Sequence, residues 1–229
     1  FTRQPGSTFK ILSTYAPALD TGGMTLATVF DDAPYTYENG DEVTNYNPDE
    51  YRGLITIRDA IIDSNNIVAV KALTQLTPQV GYDFLLKLGF TTLVNNRQTA
   101  SGGTETDVNQ ALSLGGITDG VTNVELTAAY AAIANHGYYN TPILYTSVED
   151  SHGNVLLQHE SSPKQVMKET TAWLLTDAMK DVVSEGSGVE AQLSSDMAVA
   201  GKTGTTSNNF DFWFCGYTPY YTASIWTGY

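Results

Sequence analysis

Three short polar motifs contain the residues whose types and spacing best suit nucleophilic catalysis. Ser7 and Lys10 lie three positions apart in the segment RQPGSTFKIL, where a Pro-Gly turn precedes the serine. Ser-Asn-Asn occupies residues 64–66, and Lys-Thr-Gly-Thr occupies residues 202–205. A serine hydroxyl is a weak nucleophile until a base removes its proton, and an uncharged amine can be that base.

Lys10 is the nearest candidate base for Ser7. Phe9 and Leu12 belong to a set of apolar residues at helical spacing, which predicts a helix with Ser7 at or beside its N-cap. Residues three apart share a helix face. The positive end of the helix dipole disfavours a second positive charge, as would a nearby Lys202 ammonium, so we expect a lowered pKa for Lys10. The backbone N–H of Ser7 is a candidate oxyanion donor.

The Lys-Thr-Gly-Thr motif falls in a run that reads as a β-strand. Strand alternation places Lys202 on one side and the hydroxyls of Thr203 and Thr205 on the other. Gly204 allows another backbone to approach closely. A peptide could therefore lie along this strand as an added strand, with a small positive pocket for its anionic end.

Each motif is common when taken alone, but all three occur here once, in order, on a helix start, an interhelical loop and a strand. With them the sequence resembles the penicillin-binding protein family, and within it the transpeptidase domain of the bifunctional class A enzymes. Asn65 departs from the usual Ser-Asp-Asn motif at a tolerated position. The resemblance covers nearly the whole chain and includes the segments RQPGSTFK, SNNIVAVKAL, LGGITDGVTNVELTAAYAAIANHG, AGKTGTT and FCGYTPYYTASIWTGY.

The resemblance implies a D,D-transpeptidase that cross-links peptidoglycan stem peptides and is acylated by penicillins. Ser7 would attack the penultimate D-Ala carbonyl of D-Ala-D-Ala, D-Ala would leave, and an acceptor amine would take the acyl group. Ser64 would relay a proton to the leaving amine, and Asn66 would orient Lys10 and the substrate amide.

The resemblance also implies roles for the strand motif and a location. The Thr205 N–H would be the second oxyanion donor, while Thr203 and Thr205 would bind the terminal carboxylate of the substrate. No cofactor is implied. The family works on the outer side of the bacterial cytoplasmic membrane, anchored by an N-terminal span, and class A members carry a glycosyltransferase domain upstream.

Two other functions remain open from the sequence. A serine β-lactamase shares the three motifs and adds a carboxylate that activates water, and Glu105 in the segment ETDVN faintly resembles such a residue. We favour a structural or solvated role for Glu105, because the neighbouring segment resembles the transpeptidase. A β-lactam sensor that is acylated once, without turnover, is the other alternative.

Composition excludes several classes of protein. The 229 residues carry a formal net charge of −14, which argues against a nucleic-acid partner. Cys215 is the single cysteine, so no internal disulfide can form, and we expect it to lie in the core. Metal-ligand spacing is absent from the sequence. The apolar segment 126–134 is too short to cross a membrane. Because the chain begins with Phe1, we expect it to be an excerpt of a longer protein.

Local signals predict the remaining elements. Thr56 with Asp59, and Thr122 with Glu125, have capping-box spacing ahead of apolar helical runs. Pro17 is expected to kink or end the first helix. Residues 142–159 predict a β-hairpin, and three β-rich runs near the end predict an antiparallel sheet of consecutive strands. His136 is expected to cap a helix C-terminus, and Asp211 is either a turn residue or a support for the site.

These elements predict an α+β fold, with an antiparallel sheet packed against helices and an all-helical subdomain. We expect one domain over residues 1–229, truncated at its N-terminus and at its C-terminus, with a helical part at about 7–185 that includes the hairpin and a sheet part at about 195–229. By resemblance the sheet has five strands, of which the first two would precede the nucleophile helix. Their absence would leave an exposed edge and poor folding of the isolated chain.

Overall fold

The computed structural model describes residues 1–194 and 196–229. The predicted start of the sheet part, residue 195, lies outside the described residues, and the predicted domain boundaries stay a prediction. In the part of the chain that the structure describes, none of the helices is long and apolar enough to span a bilayer. The α-helices are α1 Ala16–Asp20, α2 Ile57–Ile62, α3 Asn66–Leu76, α4 Pro78–Lys87, α5 Asn123–Ala134 and α6 Glu169–Ser184.

The strands form one three-stranded sheet and several small hairpins. In the main sheet, strand Asp211–Tyr217 (β12) lies between Ala200–Thr205 (β11) and Thr222–Gly228 (β13), and both pairings are antiparallel. β1 pairs with β4, β2 with β3, β5 with β6, β7 with β10 and β8 with β9. The bounds are β1 Val29–Asp32, β2 Tyr35–Thr36, β3 Glu42–Val43, β4 Gly53–Thr56, β5 Arg97–Gln98, β6 Thr104–Glu105, β7 Tyr138–Tyr139, β8 Ser147–Glu149, β9 Val155–Gln158, β10 Lys164–Gln165, β11 Ala200–Thr205, β12 Asp211–Tyr217 and β13 Thr222–Gly228.

The predicted α+β architecture is therefore observed, including the hairpin of β8 and β9 and the consecutive antiparallel strands near the end. Both predicted capping boxes are confirmed, at the starts of α2 and α5. Among the described residues β13 pairs only with β12. The folding behaviour expected of the isolated chain stays a prediction.

The nucleophile helix differs from the expected regular α-helix. It begins as a 3₁₀ turn, Gly6–Thr8, continues as a π-helical segment, Lys10–Tyr15, and only then becomes α1. Ser7 is not the N-cap, because Pro5 holds that position and Ser7 lies inside the turn. Pro17 does not end the helix, since it lies in the first turn of α1, where a missing N–H costs little.

One hydrophobic core joins the helices to the sheet. The π-helical segment is fully buried, and Phe9 just before it packs edge-to-face on Phe90 with ring centroids 5.1 Å apart. Trp213 and Cys215 on β12 belong to the same core, as predicted for Cys215. The core therefore surrounds the helical segment that follows Ser7, and its packing holds that segment in place.

Candidate active site

Three glycines allow distant segments to meet at the turn that carries Ser7. A Cβ built on Gly204 would lie 2.8 Å from the carbonyl oxygen of Pro5, and one on Gly6 would lie 2.9 Å from the carbonyl oxygen of Thr205. A Cβ on Gly115 would lie 2.5 Å from the carbonyl oxygen of Gly6. Real Cβ atoms do not approach oxygen so closely, so the turn lies directly against β11 and against residue 115. The close approach predicted at Gly204 is to the chain's own backbone.

Side-chain donors hold the same turn from the core. The Trp213 indole donates to the Gln4 carbonyl at 2.9 Å, and the buried Tyr130 hydroxyl donates to the Thr8 carbonyl at 2.8 Å. The Thr8 hydroxyl donates to the Pro5 carbonyl at 2.7 Å. The backbone on both sides of the half-buried Ser7 is therefore fixed before any ligand arrives.

The amine of Lys10 is completely buried, one helical turn after Ser7. It donates to the Asn66 side-chain oxygen at 2.6 Å and to the Ser64 carbonyl oxygen, and it lies 3.2 Å from the Ser64 hydroxyl. The two carbonyl-type oxygens only accept hydrogen bonds. An uncharged amine can satisfy both with its two N–H groups and still present its lone pair to a hydroxyl.

Lys202 reaches the same hydroxyl from the strand side. Its amine lies 2.8 Å from the Ser64 hydroxyl oxygen and donates to the Thr203 carbonyl at 2.9 Å, and its side chain is also completely buried. Ser64 therefore lies between two amines, one on the nucleophile helix and one on β11. A hydroxyl in that position can accept from one amine and donate to the other.

Burial lowers the affinity of both amines for a proton. For Lys10, burial first and the charge of Lys202 second hold the pKa well below its ordinary value, as expected from the sequence. Burial lowers the pKa of Lys202 to about 7, although Cys215, its partner across the β11–β12 pair, opposes the shift. The contribution expected from the helix dipole stays a prediction. Both amines therefore lose a proton more readily than an exposed lysine does.

The Ser-Asn-Asn motif is shaped by its own loop. Ser64 has a backbone φ of 57°, in the left-handed region, and this conformation directs its carbonyl to Lys10. Asn65 is the N-cap of α3 and accepts from the Val68 N–H at 2.8 Å. Asn66 is held by a bond from its side-chain nitrogen to the Thr44 carbonyl at 2.7 Å, which leaves its oxygen directed at Lys10.

The hydroxyls of the strand motif face away from the two amines, as strand alternation predicts. Thr203 is half-buried, and its hydroxyl lies 2.8 Å from that of Ser187, in the loop after α6. Thr205 is exposed beside the nucleophile turn. The structure therefore brings all three motifs together, with Ser64 in contact with Lys10 and Lys202, and with Gly204 packed against the turn of Ser7.

A cavity of about 650 Å³ opens beside Ser7, and neither Lys10 nor Lys202 is among the residues that line it. Ser7, Asn66 and Thr205 lie on its wall, but Thr203 does not. The far wall consists of residues after β11 and residues around the 3₁₀ turn Gln110–Leu114. The arrangement offers space for a ligand beside Ser7.

Several site contacts carried no sequence signal. Ser187 is one isolated serine in the loop after α6, and Asn45, which accepts from the Asn66 N–H at 3.0 Å, is one of several polar residues in an irregular segment. Both meet the motifs only through the fold. Asp211 is a support for the site, because it accepts from the Thr206 hydroxyl at 2.8 Å and from the Trp226 indole at 2.9 Å.

Two other sequence expectations concern residues outside the site. Glu105 has the structural role that we favoured, since it pairs with Arg97 at 2.7 Å, and it is not among the residues that line the cavity. His136 is not the C-cap of α5, because Asn135 takes that position; His136 follows it with a φ of 55°. No group of three His, Cys, Asp or Glu residues that could hold a metal ion occurs within residues 1–194 and 196–229.

The packed helices, the antiparallel sheet and the meeting of Ser-x-x-Lys with Lys-Thr-Gly define the class of penicillin-binding folds. The sequence profile of the penicillin binding protein transpeptidase domain matches residues 2–228. The chain therefore belongs to the penicillin-binding protein transpeptidase family, which confirms the membership predicted from the motifs.

Individual relatives agree with this family. Penicillin-binding protein 1A of Clostridium acetobutylicum is 36% identical over 236 residues, with all of this chain covered. Penicillin-binding protein 1A/1B of Bacillus subtilis is 36% identical over 243 residues, with 98% of this chain covered. The chain spans only 28% and 25% of these two proteins.

A solved structure supports the fold directly. The PonA1 protein of Mycobacterium tuberculosis in complex with penicillin V matches with a TM-score of 0.84 and 26% identity, over 100% of this chain and 61% of that one. The predicted fold class is confirmed by this likeness.

Proposed function

We propose that this domain is a serine D,D-transpeptidase that forms an acyl-enzyme at Ser7 from a D-Ala-D-Ala stem peptide and passes the acyl group to an amine. The observation that carries the proposal is the contact of the Ser64 hydroxyl with two buried amines, Lys10 at 3.2 Å and Lys202 at 2.8 Å. Family membership and the penicillin V complex of a relative support it.

In the first step uncharged Lys10 takes the proton of the Ser7 hydroxyl while the oxygen attacks the carbonyl carbon between the two D-Ala residues. The carbonyl oxygen becomes an oxyanion. The backbone N–H groups of Ser7 and Thr205 are the proposed donors to it, and losing one such donor typically costs about 3 kcal/mol of transition-state stabilisation.

In the second step the carbon–nitrogen bond breaks and D-Ala leaves as an amine. The proton on Lys10 reaches the leaving nitrogen through the Ser64 hydroxyl, which gives one proton as it receives another. Asn66 orients the Lys10 amine, because its side-chain oxygen accepts a hydrogen bond from that amine at 2.6 Å. The acceptor amine then attacks the ester by the reverse route and restores the Ser7 hydroxyl.

The carboxylate of the terminal D-Ala is proposed to bind the hydroxyls of Thr203 and Thr205, on the face of β11 opposite the buried Lys202 amine. Burial and then the charge of Lys202 hold the pKa of Lys10 well below its ordinary value, which favours the uncharged amine that the first step needs. No metal or cofactor takes part in these steps. The class A resemblance adds three further parts to the proposal. They are a location on the outer side of the bacterial cytoplasmic membrane, an N-terminal membrane anchor and a glycosyltransferase domain upstream.

The first test is acylation. The protein that carries this chain is treated with benzylpenicillin, and the adduct is located by peptide mass spectrometry. We expect it on Ser7 and expect none in a folded Ser7→Ala variant. An adduct on another residue, or none in folded protein, would contradict the proposal.

The second test separates the transpeptidase from its alternatives. Release of the penicilloyl group within seconds would favour a β-lactamase, although the pairing of Glu105 with Arg97 gives no support to a deacylating role for that carboxylate. A stable adduct without transfer from a D-Ala-D-Ala peptide to an added amine would favour a sensor. Both a stable adduct and transfer are expected.

A further inference from the structure

The direction of β11 assigns the two ends of a bound acyl donor. Thr203, the proposed carboxylate site, comes before Thr205 on the strand, and the cavity begins at Thr205 and continues along Thr206, Ser207 and Asn208. A donor whose carboxylate lies at Thr203 and whose carbonyl lies at Ser7 must extend its acyl segment into this cavity. The cavity therefore binds the acyl segment, which stays on the enzyme after D-Ala leaves.

The cavity wall offers no positive charge to that segment. None of the described residues that line it is Lys, Arg or His. Lys10 and Lys202 are completely buried and turn toward Ser64, behind the Ser7 turn. The wall is otherwise made of amides, hydroxyls, backbone and a few apolar groups.

Negative charge is present instead. Asp107 lines the cavity with 1% of its surface exposed and accepts from the Val94 and Thr118 N–H groups, each at 2.7 Å. The Thr118 hydroxyl donates to it at 2.6 Å. All of these donors are neutral, and Asp107 forms no salt bridge within the described part of the chain.

Other acidic residues add to the negative electrostatic potential that Asp107 produces in the cavity. Asp211 also lines the cavity, and its one ionic partner among the described residues, Arg3, lies 3.9 Å away. At the rim, the Tyr37 N–H donates to the Asp41 carbonyl at 2.8 Å, which places a third acidic residue next to a residue that lines the cavity.

We propose that the cavity selects acyl donors whose segment next to the reactive carbonyl is neutral or carries an ammonium group, and disfavours donors with a carboxylate there. This rests on the proposed acylation of Ser7. Specificity of this kind comes from an unpaired like charge rather than from a new attractive contact. The site would then bind a carboxylate at Thr203 and disfavour a carboxylate in the cavity. This difference would let it distinguish the two ends of a peptide.

Three penicillins with the same ring nucleus and a phenyl side chain test the proposal in the protein that carries this chain. Benzylpenicillin has a neutral side chain, ampicillin has an ammonium and carbenicillin has a carboxylate at the same carbon. At pH 7 and low salt, carbenicillin should acylate Ser7 about tenfold more slowly than benzylpenicillin, as one uncompensated charge about 10 Å away predicts at an effective dielectric constant of about 20. Ampicillin should at least equal benzylpenicillin, and salt should reduce the difference.

A charge reversal assigns the effect to the cavity. Ser207 is exposed on the cavity wall, so Ser207→Lys should raise the carbenicillin-to-benzylpenicillin rate ratio, while the neutral Ser207→Gln should leave that ratio unchanged. Equal rates for carbenicillin and benzylpenicillin, or a ratio insensitive to Ser207→Lys, would overturn this inference but not the proposed function. Failure of all three drugs to acylate folded protein would instead overturn the proposed function.

Discussion

The four arginines and the two site lysines of this protein occupy contrasting environments. All four arginines lie near the surface and pair with carboxylates: Arg58 with Asp177 and Asp181 between α2 and α6, Arg97 with Glu105 and Asp119, Arg52 with Asp63 and Arg3 with Asp211. Lys10 and Lys202 are buried, and among the described residues they contact only neutral oxygens.

The contrast has opposite effects on proton affinity. Hydrogen bonds to Asp177 and then to Asp181 raise the pKa of Arg58, against the effect of its partial burial. Burial without a carboxylate lowers the pKa of both site lysines. In a chain with 25 acidic and 11 basic residues, carboxylates are kept away from the two buried amines, which bond only to neutral oxygens among the described residues. That exclusion is what makes an amine available as a base.

Lys10→Arg should have the largest effect, because it replaces an amine that can lose its proton by a guanidinium that cannot. We expect the rate constant for acylation by benzylpenicillin to fall by about 10³-fold, within the range for loss of a general base. The measurement is stopped-flow or gel-based acylation of protein whose thermal unfolding is still cooperative. A folded variant that keeps a tenth of the rate would remove Lys10 from the mechanism.

Asn66→Asp should break the exclusion of carboxylates directly. It places a negative charge where the Asn66 oxygen now lies, 2.6 Å from the Lys10 amine, and so raises the pKa of Lys10. Acylation at pH 7 should fall by about 10²-fold and should recover at higher pH, with the acid limb of the rate profile moved upward.

Asn65→Asp is the matched control for that variant. It adds the same charge one residue away, and aspartate serves as well as asparagine at the N-cap of α3. Its acylation rate should stay within about threefold of the parent, because Asn65 does not contact Lys10. Equal losses in the two variants would mean that charge near α3, not contact with Lys10, determines the rate.

Lys202→Met should show how much the burial of this lysine, without a carboxylate partner, lowers the free energy of unfolding. Lys202 has an ordinary pKa of 10.5 and a folded pKa of about 7, so the folded state binds fewer protons between these values. The buried charge of Lys202 therefore destabilises the folded state fully below pH 7, and this destabilisation is relieved as pH rises toward 10.5. At pH 6 the variant should gain about 1 to 3 kcal/mol in free energy of unfolding, since several kcal/mol of desolvation are removed and two hydrogen bonds are lost.

Urea unfolding of parent and Lys202→Met at pH 6 and pH 9 measures this difference. The gain should shrink at pH 9, while acylation is slow at both values. A variant that is less stable than the parent at pH 6 would show that the hydrogen bonds of Lys202 outweigh its burial.

Arg58→Met should have the smallest effect. Its two ion pairs are partly exposed and join α2 to α6, so we expect a loss of about 1 kcal/mol in free energy of unfolding, reduced by salt. The pH dependence of acylation should not change. A shifted acid limb would mean that the surface pairs reach the site lysines.

The sequence alone predicted the motifs and the helix caps because their signals are local. Thr56 with Asp59 and Thr122 with Glu125 need only a helix to form both bonds of a capping box. Strand alternation likewise sufficed to place Lys202 and Thr203 on opposite sides of β11.

Contacts made only by the fold could not be predicted. The π-helical segment Lys10–Tyr15 has ordinary helical spacing of apolar residues, and its wider turn depends on the core around it. The Ser187 hydroxyl at Thr203 and the Ser64 carbonyl at Lys10 join residues 16 and 54 positions apart. The burial of both amines, which sets their proton affinity, is a property of the whole domain.

The close backbone contacts at Gly6, Gly115 and Gly204 have a consequence for folding. These residues come from the beginning, middle and last part of the chain, and each leaves room for the backbone of a segment distant in sequence. Contacts of such high sequence separation carry a large loop-closure cost, so we expect them to form late in folding. Acylation by a fluorescent penicillin should therefore count natively folded molecules, and its recovery during refolding should coincide with the final cooperative phase.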